Sequence, residues 1–212
     1  LLDHYTPEQL RTHWLSLALD QKAVSFAPKP YDTSVSHKDK KTCEEILVKD
    51  DPRVVDPALK ESAFLTNIFN RLARSCFYGA ANNCDGHLPE VAPEQKVVDA
   101  ANEATLAFER ACAGFDAHTA LSVAEENCRA ANKRWGDESK AAKDDHDAYV
   151  QALANAFRAL RTVTLLMHPA TPFGCTKICE HLNFKPELFF SWDHAFDGVT
   201  KLAEAQGETP EM

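Results

Sequence analysis

The chain has 212 residues, 44% of them hydrophobic and only seven of them glycine, a composition that bounds it to one or two globular, mostly helical domains. Its formal net charge of −9 argues against a general polyanion binder, whose footprint is a broad basic face, but leaves room for a local basic patch. No charged-then-apolar leader opens the chain and no apolar run reaches transmembrane length, so no membrane contact and a cytoplasmic location are expected. The seven cysteines (43, 76, 84, 112, 128, 175 and 179) are odd in number and widely spread. Reduced core thiols explain that spacing best.

Residues 1–55 read as a connective segment. Thr6 and Pro7 form a cap and first turn for a short helix through Leu10, Trp14, Leu17 and Leu19. Ala23 to Phe26 reads as extended, and Pro28 and Pro30 bar further helix. The charged run from His37 to Asp51 predicts an exposed excursion with one weak helix, and its lysines, Lys38, Lys40 and Lys41, suit a phosphate backbone or plain solvent.

The longest helical pattern begins at Pro57 and runs to the region 79–83, where Asn82, Asn83, Asp85, Gly86 and Pro89 break it. Leu65, Ile68, Phe69, Leu72 and Cys76 form its apolar face. Lys60, Phe64, Asn67, Arg71, Arg74 and Tyr78 form a second stripe. A second helix is expected from about Pro93 to Gly114. A third is capped by Asp116 and stopped by Gly136, and a fourth spans roughly Ser139 to Met167 with Tyr149, Leu153, Ala156, Leu160, Val163 and Met167 buried. Thr171 and Pro172 open a fifth, and Phe189, Phe190, Trp192 and Phe196 pack back over the rest. The expected fold is all-α, an antiparallel bundle of about five helices over residues 56–212.

Side-chain chemistry of the second stripe suits unpaired bases. An Asn reads a base edge, an Arg forks or stacks, and an aromatic ring supplies a platform. Asn67 and Arg71 lie one turn apart and so share a side of the helix. A solvated face on a bundle helix accounts for the same spacing. Elsewhere, Cys175, Cys179 and His181, with His168 nearby, have no second cysteine pair to complete a zinc site, so no metal is expected. Asp116 beside His118 and the run from Asp144 to Asp147 follow the acid preference of helix starts. No glycine-rich phosphate loop and no catalytic residue stand out.

The segments NIFNRLARSCFY, RAANKRW, LLMHPATPF and FFSW, in that order, resemble the C-terminal part of methionyl-tRNA synthetase, a class I aminoacyl-tRNA synthetase whose helical bundle binds the tRNA anticodon. The opening YTPEQLRTHWLSLALDQKAVSF resembles the segment joining that family's catalytic core to the bundle. The resemblance implies that Asn67 and Arg71 read anticodon bases, that Trp135 stacks on one or packs, and that Arg74, Lys133 and Arg134 contact phosphate. It implies a partner tRNA with a CAU anticodon. ATP and methionine would be handled by a catalytic domain, because the family's HIGH-like and KMSKS-like signatures have no counterpart here. An interaction scaffold without RNA binding is the alternative expectation.

Overall fold

The computed structural model describes residues 5–19, 23, 36–38, 42, 44–47 and 56–207. The chain opens with α1 (Pro7–Ser16), whose cap is as expected: Thr6 accepts from Gln9 N, and Gln9 returns the bond to Thr6 N. Where the sequence predicts a weak helix, two three-residue strands, β1 (Ser36–Lys38) and β2 (Glu45–Leu47), pair antiparallel with Ser36 opposite Leu47. A helix that short cannot repay its own nucleation, and the aliphatic run after Glu45 favours extended backbone. Of the expected extended piece only Ala23 is described, and Lys40 and Lys41 lie outside the described residues.

From residue 56 the chain is helices joined by turns. α2 (Pro57–Phe64), a π-helical turn (Leu65–Phe69) and α3 (Asn70–Asn83) are continuous, followed by α4 (Gln95–Ala113), α5 (Ala117–Ala141), α6 (His146–Met167) and α7 (Pro172–His181). The short α8 (Pro186–Phe189), a 3-10 turn (Trp192–His194) and α9 (Val199–Gln206) close the structure. Short turns fold consecutive helices back on one another, which makes a helical bundle. α1 packs on α2 and α5, held by Tyr5 Oη donating to Asp56 and by His13 Nδ1 at 2.6 Å from Glu61.

Two expected boundaries move. Gly136 does not stop the third helix: α5 runs through it to Ala141, with its Cβ side facing open space. One exposed glycine costs a helix only about 1 kcal/mol, which packing along α6 outweighs. The corner therefore falls at 142–145, and α6 starts at His146 under the Asp145 cap rather than at Ser139.

α6 is the centre of the core rather than an amphipathic wall. From Ala152 to Met167 every residue is buried, far beyond the single stripe expected. Two of its polar groups show how burial is met: Thr164 Oγ1 donates within the helix to Leu160 O at 2.7 Å, and Asn155 bridges Glu94 and Glu138. Around it pack Leu72, Cys76, Phe108, Leu121, Cys128 and Phe189.

α3 approaches α6 closely at Gly79, where an added Cβ would stand 2.8 Å from Leu153 Cδ1. Gly79→Leu should therefore lower stability by about 1–3 kcal/mol through overpacking. Gly79→Ala should cost less, since the Leu153 methyl can shift and alanine returns about 1 kcal/mol of helix propensity. Urea melts of both variants test the ordering, and a Gly79→Leu protein as stable as the parent would contradict the close crossing.

Candidate nucleic-acid interface

The helix from Pro57 to Asn83 contains one extra residue's worth of turn. Asn70 N donates to Leu65 O, an i to i−5 bond, and this widened turn carries Asn67. Its carbonyl edge is tied to α5: Asn132 Nδ2 donates to Ile68 O at 2.9 Å and to Cys128 O at 3.2 Å. The π turn also changes which side faces inward. Phe64 and Phe69, five apart, are both buried, so Phe64 leaves the expected polar stripe and joins the core.

Beyond the turn, the polar stripe opens onto a groove of about 700 Å³ between α3, α5 and the start of α6. Asn67, Arg71, Arg74, Tyr78, Trp135 and Tyr149 all line it. None of its lining residues is Asp or Glu, in a chain with 32 of them. Neither Arg71 nor Arg74 has a carboxylate partner among the described residues. The Arg74 guanidinium lies 5.7 Å from the Tyr78 ring centre, and Tyr78 is 61% exposed. Trp135 meets Tyr149 edge-on at 5.5 Å, which fixes the indole while leaving it half-buried on the groove wall.

The structure thus brings together Asn67, Arg71, Arg74 and Trp135. It does not bring Lys133 or Arg134 with them. Lys133 is exposed on α5 two residues, hence about 200°, from Trp135, and Arg134 is not among the residues that line the groove. Lys96 and Asn155 hold the Glu94 carboxyl below its ordinary range, with Arg134 adding a smaller pull. The groove also has members the sequence reading passed over: Asn70, Asn82 and Tyr149. Asn70 and Arg74 repeat the one-turn spacing of Asn67 and Arg71, a signal visible in the sequence as NRLAR.

A second groove of about 730 Å³ lies on the other side of the π turn, between α2 and α5, and shares Asn67 with the first. Its chemistry is mixed. Arg129 stacks over Phe64 at 5.0 Å and reaches Glu125 at 3.4 Å, while Glu61 accepts from Ser16 Oγ at 2.7 Å. Burial pushes the Glu125 pKa up, only partly offset by Arg129. The folded protein therefore holds this proton more tightly than the unfolded chain. Stability tied to Glu125 is full below the ordinary glutamate value of 4.5 and falls as pH rises past it. Glu125→Gln should accordingly be more stable than the parent at pH 8 with the gap closing toward pH 4, and a less stable variant at pH 8 would contradict the burial argument.

The cysteine cluster behaves as core. Cys179 Sγ donates to Phe184 O at 3.3 Å, Cys175 Sγ lies 3.4 Å from Thr171 Oγ1, and burial pushes both thiols up to about 12. His181 packs on Phe77 and His168 stacks on Phe190 at 3.9 Å. Among the described residues no three His, Cys, Asp or Glu side chains are grouped as a metal would require. The six described cysteines are free, and Cys112 is exposed rather than in the core. Thr171 stands at the start of α7 without capping it, because its hydroxyl donates to Met167 O instead.

No family model matches the sequence, and no curated protein matches it either. Among the described residues no helix is long and apolar enough to cross a membrane.

Proposed function

We propose that the groove along α3 binds single-stranded RNA and that the chain is the connective segment and anticodon-binding bundle of a methionine-tRNA ligase, with residues 1–55 and 56–212 as the two parts. The observation that carries this reading is the groove itself: two arginines with no carboxylate partner among the described residues, a row of amides, the exposed Tyr78 ring and the half-buried Trp135, with no Asp or Glu among the described residues that line it. Bases stack on Tyr78 or Trp135, amides of Asn67 and Asn70 bond base edges, and Arg71 forks onto one base while Arg74 meets phosphate. A groove of this volume accommodates more than one base. Aminoacylation with ATP and methionine belongs, on this reading, to a catalytic domain, and this part of the protein acts in the cytoplasm by selecting the CAU anticodon.

One observation favours a protein-binding scaffold instead. Phe115, at the α4–α5 turn, is 89% exposed in a left-handed conformation (φ 59°), and Phe173 on α7 is 68% exposed. Binding of a CAU stem-loop at two salt concentrations separates the readings. RNA recognition gives affinity that falls steeply with salt, whereas a scaffold gives none.

A further inference from the structure

Arg158 and Arg161 stand one turn apart on α6 and are withdrawn from water, at 2% and 0% exposure. Neither forms an ion pair among the described residues. Arg158 Nη2 donates to Asn102 Oδ1 at 2.9 Å and to Phe196 O at 3.1 Å, and Nη1 donates to Thr162. Arg161 Nη2 donates to His194 O at 3.1 Å with its guanidinium over the Phe189 ring, while its Nε and Nη1 have no partner among the described residues. The nearby carboxylate, Asp197, is engaged elsewhere, 2.9 Å from His194 Nδ1 and 3.8 Å from Lys201 Nζ. Two adjacent buried cations without a bonded anion are costly, and burial accordingly pulls Arg161 down to about 10.

Beside Arg158 lies a cavity of about 350 Å³, bounded by the 89–98 segment, α6 and α9. Its walls are mostly apolar, with Phe157, Val98, Pro93 and Val199, and Lys201 and Glu90 also border it. Gly198 lets the α9 start press against the arginine, since a Cβ there would stand 3.2 Å from Arg158 Cδ. Helix α9 begins at this cavity without a side-chain cap, so its positive end adds to the field there, whereas the start of α4 carries the Glu94 carboxylate. Arg158 Nε has no acceptor among the described residues.

We propose that this cavity is a binding site for a small amphipathic carboxylate, its head at Arg158 and the start of α9 and its apolar body along Phe157, Val98 and Val199. The anion supplies the charge that Arg158, the one of the two arginines bordering the cavity, lacks among the described residues. The volume sits at the small end of ligand cavities, which fits a short tail. This inference is independent of RNA binding, because the cavity and the RNA groove share no residue.

Titration of the full chain with octanoate, against octanamide as an uncharged match, tests it. Octanoate should raise the melting temperature and bind about tenfold or more tighter than octanamide. Val98→Trp fills the cavity without replacing an arginine and should remove octanoate binding, while Lys201→Ala should weaken it and leave the fold intact. Equal affinity for the two compounds, no octanoate binding at millimolar concentration, or binding unchanged in Val98→Trp would each overturn the proposal.

Discussion

Phe157→Ala should lower the unfolding free energy by about 3–5 kcal/mol, the largest stability effect expected of any single truncation in the protein. The side chain is fully buried in the middle of α6, within the stretch 152–167 that is buried on every face. Truncation there removes the ring's transfer energy and leaves a void that neighbours on several helices would have to close together. A marginally stable domain of this size has roughly 5–15 kcal/mol to lose, so the variant should melt well below the parent. A urea midpoint shift worth less than about 1 kcal/mol would mean that α6 is not the core element described.

Arg71→Ala should weaken binding of a CAU stem-loop by about 1–3 kcal/mol and should act mainly on the cognate anticodon, as expected of a forked base contact. Arg74→Ala should lower affinity for all stem-loops alike and flatten the salt dependence by about 0.7 in slope, as loss of one single-strand phosphate contact does. The geometry supports different roles: Arg74 already leans on Tyr78, whereas Arg71 has no ring or carboxylate to hold it among the described residues. Equal losses on cognate and anticodon-swapped RNA for Arg71→Ala would remove its base-reading role. Lys133→Ala should change little, since the residue points away from the groove.

What could be read from the sequence divides along physical range. Two helix starts were legible because their signals are local: Thr6 with Pro7 and the Asp116 cap each declare themselves within four residues, and both form the expected bonds, whereas the Asp56 cap on α2 was not foreseen and Thr171 does not cap α7. Gly136 misled because a glycine stops a helix only when the chain has somewhere else to go, and α5 is held straight by α6. The full burial of α6 was hidden by Asn155, Arg158, Arg161 and two threonines, which look like a solvated face until it is known that the first three bond other elements and the threonines bond α6 itself. The π turn has no local marker at all. It contains neither Gly nor Pro and depends on contacts with α5, so the fates of Phe64 and Asn67 could not be fixed from spacing.

The candidate groove was half legible for the same reason. Residues 67, 71, 74 and 78 follow from helical periodicity on one strand of sequence, and the structure sets them on one wall. That Trp135 faces them while Lys133 does not depends on the rotation of α5, and Tyr149 enters because it lies one turn before Leu153 on the α6 face that meets Gly79 of α3.

The measurement that bears most directly on the central claim is the affinity of this chain for a stem-loop carrying CAU, compared with the same loop with its cytosine replaced, at near-physiological salt. An anticodon-reading α3 groove should bind CAU tighter by about 1–3 kcal/mol, with the preference lost in Arg71→Ala. Equal binding to both loops, or no binding to either, would contradict anticodon reading by the α3 groove.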